Sequence, residues 1–335
     1  MRFSGKNLRV QMAAFTVLLC GAMPGTSLGA EPGQSAAVPS SSFRTVSDET
    51  GRSVRIPMPV RRVVSLAPSL TESIYALGME ELLVGDTDFC DYPAAATKIH
   101  KVGGATNPSL EEIASLKPDV VLVTKSLNRL ETVQALERLG IAAYATAPNT
   151  MDEIRVSVAR LADVLGNSGA GIALDEKLRK QESILQGRLH GAAAKRVLFV
   201  VWTDPLISIG KHTFIADALA HAGAVSVVDS SQDWPQMSLE EMVRLQPEVL
   251  VFAASHSETI SRDVDALAKR PGWDLLDAVK KRRFAVISDA VNRPAPRLFS
   301  AVEDLARQLH PEAFAETKGA PVGSLQMEPV AQVNN

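Results

Sequence analysis

Hydrophobic positions along the chain fall into short unbroken runs, and the two clearest runs close a repeated segment. Residues 109–123 read SLEEIASLKPDVVLV and residues 238–252 read SLEEMVRLQPEVLVF, with seven identical positions. In each copy a serine, Ser109 or Ser238, stands three residues before a glutamate, Glu112 or Glu241. That is the spacing of a capping box, with the glutamate engaged by the cap at the start of a helix. The helix is expected to stop at Pro118 or Pro247. The apolar runs that follow, residues 120–123 and 249–252, have the character of strands buried on both faces of a parallel sheet. The two serines lie 129 residues apart, well beyond the roughly 20–50-residue period of a solenoid, so each copy is expected in its own α/β lobe.

Other runs extend the pattern. Residues 62–66 read as a strand entering Pro68-Ser69-Leu70-Thr71-Glu72, a further capping box whose helix runs through Leu77 to Gly78. Residues 197–201 open the second lobe as a strand. Between the lobes, Thr150 and Glu153 form another capping box, and Ile154, Val158, Leu161 and Leu165 share one helical face. Leu174, Leu178, Leu185 and Leu189 continue that spacing across Gly166, Gly169 and Gly171, so residues 151–192 are expected to be a helical connector. A helix running along both lobes resists large hinge closure, and small motion on ligand binding is expected.

The ends read differently. Arg2, Lys6 and Arg9 precede an apolar run over residues 12–19 and a small-residue stretch to Gly29 and Ala30, the pattern of a secretory signal peptide over residues 1–30. Bulky Leu19 before Cys20 argues against a lipoprotein processing site. Residues 31–55 are expected to be a flexible lead-in and 313–335 a flexible tail, leaving lobes at 56–150 and 193–312. Without the leader only Cys90 remains, so no intramolecular disulfide can form. The chain carries 35 basic and 38 acidic residues; loss of the three leader cations leaves 32 against 38. Such a surface offers no track for nucleic acid. No later segment has the roughly 18 apolar residues of a membrane helix, and 46% hydrophobic with 22% charged residues suits two globular cores.

The segments VVSLAPSLTESIYALG, VGDTDFCDYP, KVGGATNPSLEEIASLKPDVVLV, ISIGKHTFIADALAHAG and WPQMSLEEMVRLQPEVLVF together resemble the periplasmic binding proteins for cobalamin, haem and ferric siderophores, over roughly residues 55–310. The DYP and WPQ segments are most similar to the cobalamin binders. The resemblance implies two Rossmann-like lobes with parallel sheets joined by a long interdomain helix. It also implies a monomeric, non-enzymatic carrier in the periplasm that passes cobalamin, as cargo rather than cofactor, to the transmembrane subunits of an ABC permease. Carried over by position, Phe89, Tyr92 and Trp234 are the expected ligand aromatics, suited to the apolar faces of a corrin. The small Ala105 stands where the cobalamin pattern has a further tryptophan. Glu111 and Glu240 match the acidic residues that pair with permease arginines, and each lies beside a glutamate assigned to a cap. Their plainer role is a favourable interaction with the helix dipole.

Arg293 and Arg297, in NRPAPR, either offer donors at the cleft edge or sit on solvated surface. Asp86, Asp88, Cys90 and Asp91 superficially resemble a cation loop but lack its glycine and distal glutamate, so turn chemistry is the expected role. A Cys90 thiolate reaching a cobalt or haem iron is the lesser alternative. The histidines, His212 and His256 among them, show no paired ligand spacing, so no metal cage is expected. The rival class is a secreted hydrolase. Its one motif, Gly25-Thr26-Ser27-Leu28-Gly29, falls in the leader without the strand and helix that would give it meaning.

Overall fold

The computed structural model describes residues 42–253 and 267–315. The leader with Cys20, His256 and the tail from residue 316 onward lie outside the described residues.

An antiparallel hairpin, β1 (Ser42–Ser47) with β2 (Ser53–Met58), leads into the first lobe. That lobe is a parallel sheet of β3 (Val63–Ser65), β4 (Leu83–Gly85), β5 (Val120–Thr124) and β6 (Ala143–Thr146), in the spatial order β4-β3-β5-β6. Helices α1 (Pro68–Ala76), α2 (Leu110–Ser115) and α3 (Leu130–Arg138) make the crossovers. Two helices follow, α4 (Met151–Val164) and α5 (Ser168–Leu189). The second lobe contains β7 (Lys195–Val200), a small ribbon of β8 (Trp202–Thr203) and β9 (Leu206–Ile207), α6 (Phe214–His221), β10 (Ala224–Ser226), α7 (Leu239–Leu245), β11 (Val249–Ala253), β12 (Phe284–Ile287) and α8 (Arg297–Leu309). Its sheet has the order β10-β7-β11-β12. Counted within each lobe, both sheets run second strand, first, third, fourth, and the repeated segment supplies the helix and third strand of each.

The strands alternate between two buried environments. Val63, Val120 and Leu122 face a core shared with the connector and with Val197, Phe199 and Val251 of the other lobe. Their neighbours Val64, Val121 and Val123 face α2 and α3 through Ile113, Val133 and Leu136. In the second lobe Leu198, Leu250 and Phe252 likewise meet Met242 of α7. One apolar cluster runs from Val54 to Leu309 through Leu161, Leu178 and Leu185, so parting the lobes would expose core.

Three expectations are corrected. Residues 151–192 are two helices rather than one. Gly166, at φ 92°, turns the chain after α4, and Asn167 caps α5 by accepting from the Ala170 N–H. Gly171 interrupts the apolar spacing because the two helices touch there; a Cβ on it would lie 2.9 Å from the Ala162 Cβ. The lead-in is ordered from Ser42, since Val54 and Ile56 of β2 are buried in the shared core. At the other end, Pro311–Phe314 is helical and Phe314 packs on the core beneath Arg188 and Arg307, so the second lobe continues past residue 312. Among the described residues no helix is long and apolar enough to cross a membrane.

The hairpin turn is organised by buried Asp48. Its carboxylate accepts from the Thr50 N–H at 2.9 Å, the Thr50 hydroxyl at 2.8 Å, the Arg52 N–H at 2.9 Å and the Arg52 guanidinium at 2.6 Å. Burial alone would raise its pKa, but these donors together hold it below the usual carboxylate range. A depressed folded-state pKa stabilises above the unfolded value of about 3.9 and is lost as pH falls through the folded one. Asp48→Asn is therefore expected to cost about 2–3 kcal/mol in urea unfolding at pH 7, with the gap to wild type closing progressively below about pH 4.

Candidate functional site

In open parallel sheets ligands bind beyond the carboxyl ends of strands, where the strand order reverses. In the first lobe that point lies between β3 and β5, and a cavity of about 380 Å³ opens there. Pro68 and Ser69 follow β3; Thr124, Ser126 and Leu127 end and follow β5. The second lobe closes the cavity with Phe214, Ile215, Trp234, Asn292, Arg293 and Pro294, so the space lies between lobes. Its volume is within the roughly 300–1,000 Å³ of small-molecule sites. Trp234 is 54% exposed in its wall, a large aromatic face held on a loop and open to a ligand.

Beside the cavity an ionic cluster joins the lobes. Glu72, on α1 of the first lobe, is 2% exposed. It accepts from Arg293 Nη1 at 2.8 Å and from Arg297 Nε at 3.0 Å and Nη2 at 2.9 Å. Arg293 also meets Asp91 at 2.7 Å, while Arg297 pairs with Asp289 at 2.9 Å and lies 4.1 Å above the Tyr92 ring. The guanidinium beside each holds Asp91 and Asp289 below the ordinary carboxylate range.

This corrects the capping box at Ser69. Helix α1 starts two residues earlier, with Pro68 in its first turn and Ala67 as an N-cap without a side-chain bond. Ser69 is thereby left in the helix, and Glu72 points into the interlobe contact. Arg293 and Arg297 are cleft-side groups committed to carboxylates rather than solvated surface.

Trp234 and Arg293 thus share the cavity wall, and Tyr92 joins them through Arg297. Tyr92 is exposed and precedes a cis proline. Phe89 is exposed but does not line the cavity. Ala105 is buried, its carbonyl accepting from Asn128 Nδ2 at 2.8 Å, so it adds nothing to the cleft surface. Phe214, Leu127, Ser69 and Thr124 escaped the sequence reading, though the carboxyl ends of the strands would have pointed to them.

Cys90 is buried with its Sγ 3.2 Å from both the Thr71 and Thr87 hydroxyls, and burial pushes its thiol pKa up. The thiol is 1% exposed and is not among the groups lining the cavity. Asp86 is buried against Lys101 at 2.7 Å. Among the described residues no group of three His, Cys, Asp or Glu side chains is placed to hold a metal. His212 lies in a separate recess of about 590 Å³ with Lys211 and Asp229.

Ser109 and Ser238 cap α2 and α7, accepting from the N–H groups of Glu112 and Glu241. The glutamate carboxylates do not reach back: Glu112 meets His100 at 2.9 Å and Glu241 faces Arg244 at 4.0 Å. Glu111 and Glu240 stand exposed in the same first turns, with no ion pair among the described residues.

Residues 63–291 match the family described as periplasmic binding protein. An uncharacterized ABC transporter substrate-binding lipoprotein of Bacillus subtilis is 31% identical over 281 residues, covering 81% of this chain and 87% of that protein. The crystal structure of the periplasmic vitamin B12 binding protein BtuF of Vibrio cholerae is 26% identical with a TM-score of 0.66, covering 77% of this chain and 99% of that one. The periplasmic haem-binding protein RhuT from Roseiflexus sp. RS-1 is 26% identical with a TM-score of 0.68, covering 76% and 99%.

Proposed function

The chain belongs to the periplasmic binding protein family, in the group that includes vitamin B12 and haem binders, and from that premise we propose that it captures cobalamin or a related corrinoid between its lobes. The observation that carries this reading is Trp234, half exposed in the wall of a cavity at the point where the sheet order reverses. A corrin has broad apolar faces and an amide-fringed edge, and it is well served by one aromatic platform among small polar groups such as Ser69, Thr124 and Asn292.

Delivery to an ABC importer follows from the same family. Glu111 and Glu240, equivalent by the repeat and free of ion-pair partners among the described residues, are the candidates for pairing with cationic groups of the permease. Export through the signal-like segment at residues 1–30 completes the reading.

Haem is the second reading, favoured by the likeness to RhuT. Equilibrium dialysis of the purified protein against cyanocobalamin, iron protoporphyrin IX and a ferric siderophore decides between them. Saturation of one site by cyanocobalamin is expected. Saturation by haem or siderophore alone overturns the corrinoid assignment and leaves the carrier class standing.

A further inference from the structure

Arginines are the groups with which a protein cleft ordinarily engages a ligand carboxylate, because the planar guanidinium matches it with two donors. Among the described residues, Arg293 is the one charged side chain that lines the interlobe cavity. Its charge is already spoken for. One Arg293 nitrogen lies 2.8 Å from Glu72 and 2.7 Å from Asp91, and neighbouring Arg297 is shared between Glu72 and Asp289. Three carboxylates thus face two guanidiniums, an excess of one negative charge beside the cavity.

The three carboxylates are not equivalent. Glu72 is enclosed at the lobe junction, whereas Asp91 is 64% exposed on the loop that carries Phe89 and Tyr92. Glu72 and Asp91 share the same Arg293 nitrogen, so the positive charge that a ligand carboxylate entering the cleft would meet is already offset by Asp91.

We propose that Asp91 is a specificity-determining residue: by occupying Arg293 it keeps the cleft from binding free-acid chelates and favours uncharged, amide- or ester-fringed ones. The inference deepens the reading of the cleft as the ligand site and rests on it. It names the chemical class admitted: a metal chelate whose side chains carry no free carboxylate. Asp91 is ionised at neutral pH as any ordinary aspartate is, and the Arg293 guanidinium lowers its pKa further, so the block operates under ordinary conditions.

The test compares iron protoporphyrin IX, which has two free carboxylates, with its dimethyl ester, on wild type, Asp91→Asn and Asp91→Glu. Asp229→Asn, a surface change of equal charge, controls for the overall field. Wild type is expected to prefer the ester. Asp91→Asn should shift the acid-to-ester affinity ratio toward the acid by about tenfold, the scale of one hydrogen bond to a charged group, with Asp91→Glu restoring the wild-type ratio. Asp229→Asn should leave the ratio where it is.

A wild type that binds the acid as tightly as the ester overturns the proposal. So does an unchanged ratio in Asp91→Asn, a shift equalled by Asp229→Asn, or no measurable binding of either form to wild type and Asp91→Asn. Cyanocobalamin is titrated in parallel: its failure to bind ends the corrinoid reading, while the acid-to-ester ratio still decides this one.

Discussion

Replacing Glu72 with alanine is expected to lower stability by about 3–5 kcal/mol, the scale seen when one partner of a buried ion pair is removed. The carboxylate is 2% exposed and holds two guanidiniums from the other lobe, at 2.8 Å and 2.9 Å. Its loss strips Arg293 and Arg297 of their most enclosed partner while leaving them at the lobe junction. Asp91 and Asp289 still compensate part of their charge, which places the effect toward the lower end. At roughly 2–4 °C per kcal/mol, Tm should fall by about 6–12 °C in scanning calorimetry. An unchanged Tm in Glu72→Ala would mean that the interlobe ion cluster contributes nothing to holding the lobes.

This cluster also marks where sequence reading reaches its limit. Glu72 stands three residues after Ser69, a spacing that fits a capping box, and only the preference of Pro68 for the first helical turn moves the start of α1 to Pro68, with Ala67 as its N-cap. Its true partners lie 221 and 225 residues away, beyond any local pattern. The two lobes were legible because the repeat is local: a serine cap, a short helix, a proline and a buried strand, each recognisable within fifteen residues. Even there, the reach of Glu112 and Glu241 back to the cap was not, since His100 and Arg244 compete for the carboxylates.

The connector shows the same division. Apolar spacing marked its helical character, but the reversal at Gly166 and the close approach at Gly171 depend on a second helix lying alongside. The hairpin of β1 and β2 was hidden for another reason. Its apolar alternation is confined to Val54 and Ile56, and its turn joins the side chain of Asp48 to a single left-handed Gly51 at φ 85°, without a two-residue Asn-Gly or Asp-Gly signal. In the cleft, Trp234 was legible as a tryptophan in a polar loop. Thr124, Ser126 and Phe214 carry no signal of their own and become site residues only through strand order.

Trp234 carries the largest expected effect on binding. A tryptophan offers roughly 150–250 Å² of surface, and here about half of it is exposed on a side chain that lines the cavity. Covering that face with a ligand ring should contribute about 1.5–3 kcal/mol, or roughly 10–100-fold in affinity. Because the side chain is 54% exposed in the free protein, its truncation should cost little stability, which separates a binding effect from an unfolding one. The direct measurement is calorimetric titration of cyanocobalamin into wild type and Trp234→Ala. One-to-one binding by wild type, weakened about 10–100-fold in the variant at unchanged Tm, is the expected result; equal affinities in the two proteins would contradict a corrinoid held between the lobes.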